Sequence, residues 1–388
     1  MKTSLTTISA KQWDFVTQEN LTAREAVIFL KSGLQVRSFA DNLREICKDK
    51  NLEQTEKMLV ENLYRLYELE GEERRENTGI KFESVRKKVY NWVSGKSMLT
   101  DRQEVFRICF ALELNLEQSE KMLCRLTEQG IHYRNKREVI LAYCLKNRLG
   151  FDKALFLIKQ LEADGKKDNP HSCEEETGKG AVTQILKLQF AEVKKKKDLF
   201  SFIMEHQADM GNSHNTAYQY FQKMLAILSG EDKELEGEAI YSIEKVAADY
   251  LRLNMPLDKK TDGYSNVQKI IKKYWPQATA VKAMKCRKQE VNRKTLLLLY
   301  IVTGGVWDKE YTEFDESYVG NEEVIENHCN RMNQMLRECG MSPIDPRNMF
   351  DYLILYCLRP EDKIFMSERL EEVIEELYRE VKTQEKDT

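Results

Sequence analysis

Proline and glycine are scarce in this chain of 388 residues, which contains 6 prolines and 17 glycines. An average globular composition would give about 19 and about 27. All six prolines lie after Asn169, so no proline interrupts a helix in the first 169 residues. The shortage of both residues favours long helices.

Long apolar segments and a strong charge bias are also missing. The longest apolar run, Leu296 to Val302, is far shorter than the roughly 20 residues that span a bilayer, and no signal-peptide pattern occurs near Met1. The formal net charge is −3, so an affinity for nucleic acid must come from local clusters. Nine cysteines without regular spacing are typical of reduced core residues. We expect a cytoplasmic protein without a membrane segment.

Helix-start signals recur along the chain. Each consists of a side-chain acceptor followed three residues later by a carboxylate or amide, the pattern of a capping box. The examples are Thr22 with Glu25, Ser38 with Asp41, Thr100 with Gln103 and Asn135 with Glu138. Apolar residues follow at helical spacing, and no segment alternates as a strand would. The sequence therefore predicts an all-α fold.

The chain length predicts two helical domains. Gly, Pro, Asn, Asp and charged residues crowd out apolar ones at 163–180, which predicts a linker. The predicted segments are an N-terminal helical extension at 1–34, a helical domain at 35–162, the linker at 163–180 and a second helical domain at 181–388. The last contains an acidic loop at 308–326 and a Glu-rich amphipathic helix from Ser367 to Lys386.

An internal repeat links the two predicted domains. Met122 to Leu145 aligns with Met335 to Leu358 at an offset of 213 residues (335 − 122), and eight of the 24 positions are identical. Upstream, an offset of 191 places Arg102 on Arg293 and Gly95 on Cys286. The pattern indicates a duplicated helical unit.

Asn135 and Asn348 are predicted N-caps. Two aligned arginine pairs, Arg102 with Arg293 and Arg134 with Arg347, are interpreted first as structural residues that bond a helix end or pair with a carboxylate. The alternative for both pairs is contact with phosphate.

The segment Phe82 to Leu123 resembles the lambda-repressor-like (XRE-type) helix-turn-helix family. Val85 to Trp92 corresponds to the recognition helix, Ser94-Gly95-Lys96 to its end, and Thr100 to Leu112 to the next helix, followed by an apolar turn. A polar loop of about a dozen residues before Val85 departs from the turn of three or four residues typical of the compact family. The resemblance implies a recognition helix that docks in the major groove of DNA.

Two basic clusters occupy corresponding places in the two copies. Lys81 to Thr100 contains five basic residues and one acidic residue, and Lys269 to Leu297 contains nine basic residues and one acidic residue, with Tyr274 and Trp275 interleaved. Such clusters attract phosphates. The candidate nucleic-acid-binding residues are Arg86, Lys87, Lys88, Asn91, Ser94 and Lys96 in the first copy and Lys282, Lys285, Arg287 and Lys288 in the second.

Each of these features also has a plainer interpretation. The clusters can be solvated faces that balance acidic helices elsewhere, and the run Lys194 to Lys197 is best explained as an exposed helix face. Tyr90 and Trp92 are predicted to be core residues rather than stacking platforms. Five scattered histidines and the absence of known catalytic motifs predict no enzyme, no metal site and no cofactor.

The sequence therefore predicts a bacterial DNA-binding regulator with tandem helix-turn-helix-like units and double-stranded DNA as its partner. The alternative is a non-enzymatic helical adaptor that binds a protein through its acidic C-terminal helix.

Overall fold

A computed structural model describes residues 7–18, 20–48, 51–74, 80–99, 101–164, 182–210, 215–229, 243–256, 263–273, 275–306, 321–360 and 364–386. The predicted all-α fold is confirmed, and within these residues the only β-type pairing is an isolated bridge between Gln129 and Met341. The helices, in chain order, are α1 (Thr7–Val16), α2 (Ala23–Ile28), α3 (Phe39–Ile46), α4 (Leu52–Arg74), α5 (Phe82–Val93), α6 (Arg102–Ala111), α7 (Leu116–Thr127), α8 (Lys136–Lys146), α9 (Phe151–Asp164), α10 (Val182–Ala191), α11 (Lys196–Glu205), α12 (Asn215–Ser229), α13 (Ile243–Tyr250), α14 (Asn266–Lys272), α15 (Ala278–Lys285), α16 (Arg293–Val302), α17 (Asn321–Glu338), α18 (Met349–Cys357) and α19 (Met366–Lys386).

The predicted helix starts are largely those observed. Thr22 and Ser38 form complete capping boxes with Glu25 and Asp41. Asn135 accepts from the amides of Arg137 and Glu138, as a cap does. Thr100 lies outside the described residues, and the observed cap of α6 is Asp101, which accepts from the amide of Gln103. These caps satisfy amides that a helix start leaves without partners.

The helices group into two compact units. The mid-chain unit comprises Arg37–Asn212 and Glu338–Ser342, and the terminal unit comprises Met1–Val36, Ser213–Arg337 and Pro343–Thr388. This grouping differs from the predicted division at 163–180. The predicted linker lies mainly outside the described residues, although its first two positions belong to the end of α9.

Two sets of contacts explain the observed grouping. In the mid-chain unit, the ammonium of Lys146 on α8 donates to the carbonyl of Phe190 in α10 at 3.1 Å and to that of Val193, just after α10, at 2.9 Å. In the terminal unit, Arg359 donates to the carbonyl of Leu21 at 2.8 Å. The segment predicted as a separate extension at 1–34 therefore belongs to the terminal unit, and α10 and α11 belong to the mid-chain unit. Residues 321–326 of the predicted acidic loop are helical, because α17 begins at Asn321, and residues 308–320 lie outside the described part of the chain.

A bidentate arginine–carboxylate pair occurs in each copy of the repeat. In the mid-chain unit Arg102 donates to both carboxylate oxygens of Glu138, at 3.0 and 2.7 Å. In the terminal unit Arg293 donates to both oxygens of Asp351, at 2.6 and 2.8 Å. The predicted pairing of these arginines with a carboxylate is confirmed.

The surrounding hydrogen bonds match as well. Arg102 and Arg293 also donate to carbonyls at aligned positions, of Gly130 at 2.7 Å and of Pro343 at 3.1 Å, and Arg102 donates in addition to the carbonyl of Gln129 at 3.1 Å. The aligned amides of His132 and Asp345 donate to the paired carboxylates, both at 2.8 Å. Asn348 caps α18 as Asn135 caps α8. The same arrangement thus recurs, while common ancestry of the two segments stays a prediction.

The turn before this pair shows a one-residue difference between the copies. Gly95 follows α5 with φ 72° and its amide donates to Trp92, whereas Arg287 follows α15 with φ 53° and its amide donates to Met284. Gly95 is thus equivalent to Arg287, not to Cys286 as the offset of 191 predicted. The turn that leads to the capping residue is one residue shorter in the second copy.

Candidate nucleic-acid interface

Helix α5 has a buried side and an outward side. Val85, Val89 and Trp92 are buried at helical spacing and belong to the core of the mid-chain unit. By the same periodicity, Lys87 and Ser94 lie opposite them, with Tyr90 and Asn91 on either side. Lys87, Tyr90 and Ser94 are exposed and Asn91 is half-buried. Five candidate residues of the first copy therefore face outward together with Tyr90. We call this group the α5 surface: Arg86, Lys87, Tyr90, Asn91, Ser94 and Lys96.

The flanks of the α5 surface are less uniform. Arg86 is exposed and lies 3.4 Å from the carboxylate of Glu83, one turn earlier on the same helix. Lys96 is exposed and its ammonium lies 4.8 Å from the centroid of the Tyr90 ring. Tyr90 itself is 50% exposed, so its prediction as a core residue is wrong, whereas that of Trp92 is confirmed. Helical periodicity places position 90 on the side of α5 that faces away from the core, although the residue there is aromatic.

Lys88, a predicted nucleic-acid-binding residue, makes polar contacts inside the mid-chain unit. Its ammonium donates to Glu104 at 2.9 Å and to the hydroxyl of Tyr67 at 2.7 Å. The side chain of Glu104 is only 4% exposed, so its charge needs these partners. Lys88 therefore serves first to hold α5 against α4 and α6.

The partners of Lys88 continue into a buried polar network that the sequence did not reveal. Arg107 donates to Glu104 at 2.8 Å and to Glu70 at 2.8 Å. Burial and the bond to Glu104 raise the pKa of the Tyr67 hydroxyl. Burial alone would lower the pKa of Arg107, but the two carboxylates raise it above its ordinary value. The only sequence signal was the spacing of Glu104 and Arg107 on one helix face, because the other members lie far away in the chain.

The end of α5 is a tight turn. The amide of Ser94 donates to Tyr90 at 2.9 Å, and that of Ser97 donates to Asn91 at 3.1 Å. Gly95 has φ 72°, a left-handed conformation that glycine adopts without steric cost, and a Cβ there would meet no neighbouring atom. The turn thus places Ser94 and Lys96 at the C-terminal end of the α5 surface.

The candidate residues of the second copy lie on α15 and its following turn, in the terminal unit. Lys282 and Lys288 are exposed and Lys285 is half-buried. The guanidinium of Arg287 lies 4.3 Å from the ring centroid of Tyr218 and donates to Asn215 at 3.1 Å. This surface is therefore basic, but Arg287 already packs against α12.

Some basic residues of the second cluster, Lys269 to Leu297, are not available to bind nucleic acid. Arg293 is buried in its pair with Asp351, and Lys294 donates to the carbonyl of Ile271 at 2.8 Å near the C-terminal end of α14. Trp275 is buried and its indole donates to the carbonyl of Leu251 at 2.8 Å. Tyr274 lies outside the described residues. Two of the nine basic residues are thus structural.

Other functional classes receive no support from the described part of the chain. No group of three or more potential metal ligands occurs there. Burial raises the pKa of the Cys109 and Cys144 thiols to about 12, which disfavours the reactive thiolate. No described helix combines the length and the apolar character needed to cross a bilayer.

Comparisons with known proteins return nothing: no family model, curated protein or solved structure matches the chain.

Proposed function

We propose that the protein is a DNA-binding regulator that contacts double-stranded DNA through the α5 surface. The observation that supports this proposal is the two-sided character of α5. Its inward residues anchor the helix in the core, while Arg86, Lys87 and Lys96 stand on the outward side beside Asn91 and Ser94. The basic residues attract backbone phosphates, and the amide and hydroxyl can form hydrogen bonds with base edges in the major groove.

The rigid mounting of α5 favours the same role. Docking in a groove requires a helix whose orientation is fixed by its supports. Lys88 contributes to that fixation through its bonds to Tyr67 and Glu104. The basic surface around Lys282 and Lys288 offers a second contact, and two weak contacts in one chain can give strong combined binding.

Binding of the wild-type protein to a duplex of random sequence at several salt concentrations tests the proposal. Three phosphate contacts, from Arg86, Lys87 and Lys96, predict that log K falls with log salt at a slope of about −3, and contacts in the second copy make it steeper. Binding that is absent at low salt, or that is independent of salt, would contradict the proposal.

A protein-binding adaptor is the second candidate, and one observation favours it. On α19 the apolar residues Leu370, Val373, Ile374 and Leu377 are buried, whereas the carboxylates of the opposite face, including Glu368, Glu372 and Glu375, are exposed. A partner would therefore meet the acidic side of α19. An immobilised basic peptide should then capture the wild-type protein but not a variant in which these three glutamates are changed to glutamine. That result would support this candidate.

A further inference from the structure

A second basic surface lies on the mid-chain unit, outside α5 and its turn. It combines Lys153 and Phe156 of α9 with the four consecutive lysines Lys194, Lys195, Lys196 and Lys197 at the start of α11. We call it the α9–α11 surface. The sequence predicted only an exposed helix face for the four lysines.

An exposed aromatic ring lies at the centre of the α9–α11 surface. Phe156 is 48% exposed although the residues on either side of it, Leu155 and Leu157, are buried. The ammonium groups of Lys153 and Lys196 lie 4.9 and 5.7 Å from the centroid of its ring. Lys196 also lies 5.6 Å from the ring of Phe200. Positive charges and a half-exposed aromatic ring therefore occur together, and a base that stacks on this ring would displace a flexible lysine side chain from it.

The positive charge of this surface is only partly compensated, because the carboxylate of Asp198 interacts electrostatically with Lys195 and Lys197. Lys196 and Lys197 occupy the first turn of α11, where the helix dipole already disfavours cations. The nearby carboxylate of Asp198 accepts the amides of Lys195 at 2.8 Å and Lys194 at 3.3 Å. Within the described part of the chain, no carboxylate forms an ion pair with Lys153 or with Lys194 to Lys197. Cations at the start of a helix lower its stability, and a bound polyanion would offset that loss.

We propose that the α9–α11 surface binds single-stranded nucleic acid, with phosphates held by the five lysines and a base stacked on Phe156. Proteins that bind single strands combine a basic track with aromatic side chains on which bases stack. A duplex hides its base faces, so the exposed ring favours a single strand over the duplex assigned to α5. An acidic membrane or peptide would satisfy the charges but would not use the ring as a stacking platform.

Fluorescence anisotropy with a labelled oligothymidine of about 12 nucleotides tests this proposal on the full chain. Phe156→Ala should weaken binding by about fivefold or more, because the stacking of one base is lost. Changing Lys153, Lys196 and Lys197 together to glutamine should weaken binding and reduce the salt slope by about 2. Phe365→Ala and Lys57→Gln change an exposed aromatic and an exposed lysine elsewhere, and should leave the affinity unchanged. Circular dichroism verifies that each variant is folded.

Three results would overturn the proposal. The first is wild-type affinity in folded Phe156→Ala, and the second is equal loss in the control variants. The third is binding to phosphatidylserine vesicles without binding to oligothymidine. The duplex-binding role of α5 is tested separately, because Lys87→Glu with Lys96→Glu should retain the affinity for oligothymidine. If the duplex proposal fails, this one can still stand.

Discussion

Neighbouring lysines on α5 have different surroundings, and this difference governs what each can do. Lys87 points outward, whereas the ammonium of Lys88 reaches the buried carboxylate of Glu104. Helical periodicity places Lys88 near the edge of the polar side, but it cannot show that Glu104, 16 residues later, supplies a partner. A sequence pattern therefore predicts which side of a helix a residue occupies, but it does not identify the residue that it contacts on a neighbouring helix.

Lys88→Ala should destabilise the protein by about 1 kcal/mol, because Glu104 loses one of its charged partners and keeps Arg107. Lys87→Ala on the outward side should change the free energy of unfolding by no more than about 0.5 kcal/mol. Urea denaturation of both variants measures the difference. Equal values for the two would show that the Lys88 pair contributes nothing.

The buried thiol of Cys109 should make stability depend on alkaline pH. Its pKa is raised by burial from 9.0 to about 12. The folded state keeps the thiol protonated while the unfolded chain ionises it, so the stabilisation is complete below about pH 9 and is lost as the pH rises toward 12.

At pH 10 ionisation of this thiol in the unfolded chain should lower the free energy of unfolding by about 1.4 kcal/mol. Cys109→Ala removes the group, so its loss of stability between pH 7 and pH 10 should be smaller than that of the wild type. Denaturant titrations at the two pH values measure it. Identical losses in both proteins would contradict the assignment to Cys109.

At the scale of the element, the helix starts were the most predictable feature. A cap depends on residues three positions apart, and so Thr22, Ser38, Asn135 and Asn348 could be identified without knowledge of the packing. The turn after α15 could not, because the chain reaches the equivalent left-handed position at Arg287 with one residue fewer before the next cap. A one-residue gap inside a short turn is difficult to detect when two sequences are aligned.

The two arginine–carboxylate pairs should differ in their contribution to stability. Arg293 and Asp351 are 2% and 1% exposed, whereas Arg102 and Glu138 are 20% and 11% exposed. Asp351→Ala leaves a buried arginine without its bidentate partner and should cost about 3–5 kcal/mol. Glu138→Ala should cost less, because water can reach Arg102.

Hydrogen exchange of the amides in α16 and α18 for Asp351→Ala, and in α6 and α8 for Glu138→Ala, measures the two effects locally. A greater loss of protection in Glu138→Ala would contradict the ranking by burial.

At the scale of the whole molecule, the chain passes between the two units more often than the linker interpretation supposed. The mid-chain unit contains helices from both sides of residues 165–181, together with the short segment Glu338–Ser342. In that unit the amide of Ser342 donates to the carbonyl of Glu128 at 3.0 Å. Contacts between residues so far apart in sequence cannot be predicted from composition, although composition identified the polar stretch itself.

Cleavage at a protease site inserted between residues 165 and 181 should therefore leave the two fragments associated. The bonds from Lys146 to α10 and the burial of Leu186 and Phe190 hold both sides of the cut in one unit. Size-exclusion chromatography of the cleaved protein, with denaturing gels as the control for complete cleavage, measures association. Separate elution of two folded fragments would support the linker interpretation.

The most direct test of the DNA-binding proposal is the affinity of a charge-reversed α5 surface for duplex DNA. Lys87→Glu with Lys96→Glu changes two exposed residues and leaves the Lys88 network intact. The matched control is Lys48→Glu with Lys57→Glu, which makes the same charge change at two exposed lysines outside α5 and its turn. Anisotropy with a labelled 30-base-pair duplex at fixed salt compares both with the wild type. We predict at least about a tenfold loss of affinity for the α5 variant, a salt slope smaller in magnitude by about 2, and a much smaller change for the control. Equal affinities of the two variants would contradict the proposal.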